Sequence, residues 1–408
     1  MMNMRLVFID IHTNFFLIRN FKMIIYGSKV VTYKHKFILD YAFNNNIEIC
    51  SLITGLKSTM PIYQRIVPKD KYKIGAKFEM NYVLKKNALE KNIKIIDVCD
   101  IRKDDIVVAY LYQAYQLDLI KKFDCIKVLM GNHFVSINNP INLSEIGVNA
   151  FVNEIDLGQN DFVRKFINTI GVKAIACPYI FADRFYNKNK KRLNKIMAIG
   201  TLSTCKGHSD YKLYREFFKT EWIQPLRKMI FDRANDYPKE IDSYISYILE
   251  DKKQINRTDN RFIKNVKKIK NRFTPMTQSK YTSFDMVEKF NEYKMFICPE
   301  ELVGFPGIGF VEGMACGTAY VGLDAYYYRQ LGLVPGIHYI SYDGTMEDLV
   351  AKVRYYQLHT EELDTIARTG ETFIRNNFNT KIVAERFFAD LEKLLNLETK
   401  NQDLSHGQ

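Results

Sequence analysis

The sequence predicts an α/β protein of two doubly wound halves facing a central cleft, and three observations point there. Apolar runs of strand length alternate with stretches of helical period from Met4 to Ile180, the rhythm of β-α-β units on a parallel sheet. A basic, apolar-poor run, YNKNKKRLNK from Tyr186, breaks that rhythm, and a second alternation starts at KIMAIG, Lys195 to Gly200. At 408 residues and 47% hydrophobic composition, the chain is also longer than one compact core usually supports.

Taken in order, MRLVFIDI from Met4 and IEICSLI from Ile47 read as strands flanking the segment VVTYKHKFILDYAF. The helical KFEMNYVLKKNALEKN from Lys77 leads into the strand IKIIDVC. DDIVVAYLY from Asp104 and CIKVLMG from Cys125 are strands around the helix QAYQLDLIKKF, and VNAFVNEI and VKAIACPYI are two more around the helical QNDFVRKFINTI. After the polar run, taken as an inter-domain linker, KIMAIG is a strand ending in glycine, and a helix includes Tyr211 to Phe218. YKMFICPEE, TAYVGL and HYISYD supply further strands. MEDLVAKVRYYQLH, EELDTIARTGETFIRNNF and NTKIVAERFFADLEKLL have apolar spacing suited to packing on a sheet. The expected division is 1–185 and 186–395, with a basic helical insertion at about 222–275 and a polar, frayed tail over 396–408. The last helix is free to cross back to the first half. Ligands of such folds bind at the carboxyl ends of strands and between domains.

Composition removes several classes. No run approaches the ~20 uncharged apolar residues of a membrane-spanning helix, and the apolar N-terminus is broken by Arg5, Asp10, His12 and Arg19, unlike a signal peptide. The seven cysteines are scattered without C-x-x-C pairs, which suggests neither a disulfide framework nor a zinc site and fits a reducing cytoplasm. A net charge of +13 favours anionic partners: nucleic acid, an acidic membrane or phosphorylated substrates.

The densest signal is GFPGIGFVEGMACGTAYVG, Gly304 to Gly322, with six glycines, one proline and one carboxylate, Glu312. A glycine-rich loop feeding a helix offers exposed N–H donors and the positive end of the helix dipole to an anion, which suits Gly307 and Gly309, with Ile308 between them. Glu312 falls in the first helical turn, either as a ligand-binding carboxylate or as a simple dipole-stabilised cap. Together with ACPYIFADRF (Ala176 to Phe185) and IGTLSTCKG (Ile199 to Gly207), this stretch resembles, in order and spacing, the donor-binding half of GT-B glycosyltransferases. The resemblance is closest to the retaining family 4 group, the "glycosyl transferases group 1". It covers the chain from about Ala176 onward except in the middle, and only loosely before that.

The resemblance implies a GT-B fold of two Rossmann-like domains and assigns roles. Glu312 would hold the ribose of a nucleotide sugar, UDP- or GDP-linked. Lys206, in the Lys-Gly turn, would neutralise charge growing on the diphosphate as the glycosidic bond breaks, although a lone Lys-Gly is otherwise a common surface turn. Thr201 stands where the family has an arginine, leaving one phosphate cation missing. His133, after the strand CIKVLMG, would face the donor sugar, its alternative being a satisfied loop histidine. The family's E-x7-E places its first glutamate at Gly304 of this chain, so a shifted loop would have to bring Glu301, or Glu300, to the sugar. If neither reaches it, an inverting course would need a general base, with Asp10 and His12 as weak candidates. YGSKVV, Tyr26 to Val31, offers only a single Gly-Ser near the cleft.

Between Trp222 and Pro275 the family's glycine-ended strand is not readable, and the text is helical and basic. Phe262, Val266, Ile269 and Phe273 repeat at helical spacing among lysines, a pattern that suits either an anionic membrane surface or a solvated helix packed on the core. Nucleic acid is not expected as a partner, since no recognised motif accompanies the charge. The expectation is thus a cytoplasmic glycosyltransferase, peripheral on the inner face of the plasma membrane. It would move a sugar to a glycan or lipid-linked acceptor in bacterial surface polysaccharide assembly, with no cofactor and no metal. A catalytically silent GT-B subunit and a sugar-nucleotide epimerase of the same fold stay open beside it.

Overall fold

In a computed structural model of the chain, residues 4–18, 29–54, 72–111, 113–131, 136–205, 211–247, 284–301 and 306–406 are described. Two parallel sheets organise them. The first holds β1 (Arg5–Ile9), β2 (Glu48–Leu52), β3 (Ile93–Ile96), β4 (Ile106–Tyr110), β5 (Ile126–Met130), β6 (Ala150–Asn153) and β7 (Lys173–Ala176), in the order β7-β6-β5-β4-β1-β2-β3. All neighbours run parallel. Central strands such as RLVFI and IVVAY are buried along their whole length, so they read as continuous apolar runs rather than as an alternation. The chain winds outward from β1 to β3, then returns to β4 and winds the other way.

The second sheet holds β8 (Leu193–Ala198), β9 (Ile241–Ser243), β10 (Tyr293–Ile297), β11 (Ala319–Leu323) and β12 (Ile340–Tyr342), in the order β9-β8-β10-β11-β12. It too is parallel throughout. Its winding reverses between β8 and β10. The edge strand β9 corrects the helical reading of this stretch. The strand is only three residues long, IDS, with one of them buried, which is too short to impose a period of two against the helical text around it, and it does not end in glycine as expected. The rest of the basic segment, including Phe262 to Phe273, lies outside the described residues.

The longer helices are α1 (Tyr33–Asn44), α2 (Tyr72–Lys86), α3 (Ala114–Ile120), α4 (Asp161–Phe166), α5 (Lys212–Phe218), α6 (Pro225–Arg233), α7 (Met286–Glu292), α8 (Gly309–Ala315), α9 (Met346–Leu358), α10 (Thr360–Asn377) and α11 (Thr380–His406). The helical stretch QNDFVRKFINTI stops at Phe166, because Ile167 and Asn168 pair instead with Ile141 and Asn142. α11 runs on to His406 rather than fraying at 396, since LETKNQ is built mostly of good helix formers. It leaves its own sheet and packs on the first: Val383, Ala384, Phe387, Phe388, Leu391 and Leu394 are buried with Phe37, Ile38 and Leu39 of α1. Phe388 stacks on Tyr41 at 4.7 Å between ring centroids.

Within the polar run between the halves, Lys190, Lys191 and Leu193 are exposed while Arg192 is pinned. The Arg192 guanidinium donates to the carbonyls of Phe290, Tyr293 and Cys316 and to Asn187, Asn291 and Thr318, so this basic residue anchors the start of β8. A second tie is aromatic. Phe162 of α4 lies 5.8 Å from Phe217, 5.9 Å from Phe218 and 6.3 Å from Tyr214 of α5, a cluster of the kind worth about 0.5–1.5 kcal/mol per pair beyond area burial.

Candidate functional site

Where the winding of an open α/β sheet reverses, the loops leave two neighbouring strands in opposite directions and a crevice opens at their carboxyl ends. In the second sheet that point lies between β8 and β10. Ile199, Gly200 and Thr201 leave β8, and Cys298, Pro299, Glu300 and Glu301 leave β10. The glycine-rich loop returns from there through Gly307 to Ile308, the residue that caps α8, and the helix begins at Gly309. Glu312 lies in its first turn and is only 5% exposed. Thr201, Glu301, Gly307, Ile308, Gly309 and Glu312 therefore belong to one strand-end reversal.

The two neighbouring glutamates part company. Glu300 turns inward: its Oε1 accepts from Leu323 N at 3.0 Å and from the hydroxyls of Tyr320 and Tyr328. Burial pushes its carboxyl above the usual glutamate range against the pull of those donors. That corrects its candidacy for a sugar contact, because a side chain with no exposed surface cannot meet a ligand. Glu301 turns the other way and accepts from Gln224 Nε2 at 3.1 Å, while Gln224 Oε1 accepts from both N and Oγ of Ser203 at 3.0 Å. Glu301 is thus tied through Gln224 to the loop that follows β8.

Glu300 also gives a pH prediction. Its folded form binds its proton more tightly than the unfolded chain does, so the stability it allows is fully present below the ordinary value of 4.5 and is lost as pH rises through the folded value. Glu300→Gln keeps an oxygen for the three donors and removes the titration. Its stability relative to wild type is expected to rise as pH increases above about 4.5, read from denaturant midpoints. A difference that stays constant with pH would contradict the assignment.

At the corresponding reversal of the first sheet, between β1 and β4, stands Asp10 in the left-handed region at φ 47°. Its Oδ1 accepts from Thr54 N at 3.1 Å, and its Oδ2 accepts from Thr54 Oγ1 at 2.6 Å and Tyr115 Oη at 2.9 Å. Burial raises its carboxyl above the usual range. With three donors on its oxygens, Asp10 stitches the ends of β1 and β2 to α3, a better account of it than a free base. His12 is fully buried beside it. His133, Lys206, Gly304 and the first part of YGSKVV lie outside the described residues. Among those described, no three His, Cys, Asp or Glu side chains gather as a metal site requires, all seven cysteines are free, and no helix is long and apolar enough to cross a membrane.

Residues 257–389, about a third of the chain, match a family model described as "Glycosyl transferase-like". No curated protein sequence matches. Among solved structures, the chain resembles a sucrose-phosphate synthase from Thermosynechococcus elongatus at 10% identity and a TM-score of 0.53, covering 97% of this chain and 100% of that one. It resembles HepE from Anabaena in complex with UDP at 11% identity and a TM-score of 0.52, over 96% of this chain and 100% of that one. A glycosyltransferase from Rickettsia africae ESF-5 matches at 10% identity and a TM-score of 0.50, over 97% and 99%. This is the GT-B fold. The two doubly wound sheets are its two halves, and the β8–β10 reversal lies in the second.

Sequence reading missed two side chains of that crevice. Gln224 and Arg227 come from α6, whose only local signal is Pro225 at its first position, and nothing in IQPLRK announces that they reach strand ends far away in sequence.

Proposed function

We propose that the protein is a glycosyltransferase that takes a sugar from a nucleoside-diphosphate donor, with retention of configuration, and passes it to a glycan or lipid-linked saccharide in surface polysaccharide assembly. The bond from the anomeric carbon to the diphosphate breaks, the diphosphate leaves with the electron pair, and the acceptor oxygen bonds to that carbon as its proton passes to the departing diphosphate. The observation that carries this reading is the meeting of Thr201, Glu301, Gly307 to Gly309 and the buried Glu312 at one strand-end reversal of a GT-B fold. It is supported by the glycosyl transferase-like match over 257–389 and by a neighbour of the same fold solved with UDP and with UDP-glucose. Glu312 is the ribose ligand, Lys206 the diphosphate contact, and Glu301 and His133 the groups facing the sugar. No metal or cofactor takes part, and the protein works in the cytoplasm against the inner face of the membrane.

Thermal melting against UDP, GDP, CMP and dTDP tests the donor site. A ligand at a hundred times its Kd that binds only the native state adds about 2.7 kcal/mol of stability, a clear rise in Tm. If none of the four shifts the transition, the donor reading fails. A catalytically silent subunit is the second reading, favoured because Glu301 is occupied by Gln224 while Gly304 supplies no carboxylate. Nucleotide binding without transfer or hydrolysis of any donor would select it.

A further inference from the structure

Three buried or half-buried arginines show how this protein treats a guanidinium. Arg5 faces carboxylates, with Asp105 at 3.2 Å and Glu48 at 3.5 Å. Arg192 has no carboxylate but is saturated by six oxygens. Arg227 has neither arrangement. It is 7% exposed, donates from Nε to the Pro299 carbonyl at 2.9 Å and from Nη1 to the Thr201 carbonyl at 3.1 Å, and makes no ion pair with any described residue. Nη2 is left for something else.

The placement of that nitrogen is specific. The two carbonyls that hold the guanidinium lie just beyond β8 and β10, at the reversal itself. Gly200, at φ +144°, lacks the Cβ that would stand 2.9 Å from Arg227 Cδ and Nε, and a Cβ on Gly307 would stand 3.4 Å from Nη2. A side chain at position 200 would crowd the arginine, so Gly200 serves to admit Arg227, whereas at Gly307 the closer obstacle is Cys298 Sγ at 2.8 Å. A guanidinium stays charged throughout the accessible pH range. Burying a cation without a counter-charge costs several kcal/mol, and the fork it presents matches two oxygens of a phosphate.

We propose that Arg227 is an anion-binding residue of this crevice and that its free edge, Nη2 with the second hydrogen of Nη1, takes the oxygens of a diphosphate. Thr201 contributes its carbonyl as the anchor for that arginine, and this second cation arrives from α6 rather than from position 201. The inference rests on the nucleotide-donor reading for the identity of the ligand, but the anion site can be tested apart from it.

Titration calorimetry of the full chain, wild type, Arg227→Gln and Arg227→Lys, with UDP, uridine and inorganic pyrophosphate separates the cases. Arg227→Gln is expected to weaken UDP and pyrophosphate by roughly 10- to 100-fold, the range for hydrogen bonds to charged groups, with uridine unchanged. Arg227→Lys should restore part of the loss. Equal UDP affinity in all three proteins, or parallel loss of UDP and uridine, which a merely structural arginine would give, overturns the inference. Pyrophosphate bound by wild type and lost in Arg227→Gln, with UDP bound by neither, upholds the anion site and defeats the nucleotide reading instead. If Arg227→Gln does not fold, the UDP-to-uridine ratio of Arg227→Lys decides: a ratio below wild type upholds the proposal and a ratio equal to wild type overturns it.

Discussion

Phe388→Ala is expected to lower the stability of the protein by about 3–5 kcal/mol, the usual result of emptying a buried aromatic site. Phe388 is 3% exposed and stacks on Tyr41 of α1, within the cluster that covers one face of the first sheet. Domains of ordinary size have only about 5–15 kcal/mol of net stability, so the variant should melt well below wild type or fail to accumulate. Denaturant titration followed by tryptophan fluorescence is less useful than far-ultraviolet dichroism here, because the single tryptophan sits in the other half. A loss under about 1 kcal/mol would mean that α11 only rests on the first sheet and does not complete its core.

Glu312→Ala is expected to weaken nucleotide binding by roughly 10- to 100-fold, from the 1.5–3 kcal/mol typical of hydrogen bonds to a charged group. The carboxylate is almost wholly buried in the first turn of α8, where it gains from the helix dipole and loses little entropy on meeting a hydroxyl. The informative probe is a UDP lacking both ribose hydroxyls. If Glu312 holds those hydroxyls, wild type and variant bind the dideoxy nucleotide alike, and the two losses do not add, as expected of groups in direct contact. Unchanged UDP affinity in the variant would remove Glu312 from the site.

Much of the fold was legible in the sequence, for physical reasons that also explain the gaps. Strands buried on both faces, such as IVVAY and YKMFI, show as apolar runs whatever their partners, and Gly200 at the end of KIMAIG marks a backbone at positive φ. β9 was hidden because an edge strand of three residues carries almost no period. Arg192 and Arg227 were hidden because a basic residue looks the same in sequence whether it is solvated or is holding carbonyls 100 residues away, as Arg192 does with Phe290 and Tyr293. The inward turn of Glu300 and the outward turn of Glu301 could not be told apart from PEE alone; the tyrosines that capture Glu300 come from β11 and the helix after it, Tyr320 and Tyr328. Gly307, assigned from sequence to a bound anion, also has a packing reason in Cys298, whose Sγ a Cβ there would meet at 2.8 Å, and no reading of the loop by itself contains that contact.

The return of α11 to the first sheet orders events during synthesis. β7 ends at Ala176 and α11 begins at Thr380, so roughly 200 residues must be made between the strands and the helix that covers them. At about 5–20 residues per second, the nascent first half waits on the order of tens of seconds with Phe37, Ile38 and Ile175 uncovered. The second half must then fold or stay out of the way before α11 can reach them. A first unit closed by a helix made this much later exposes apolar surface during synthesis, and fragments released before α11 are expected to be the ones most prone to aggregate.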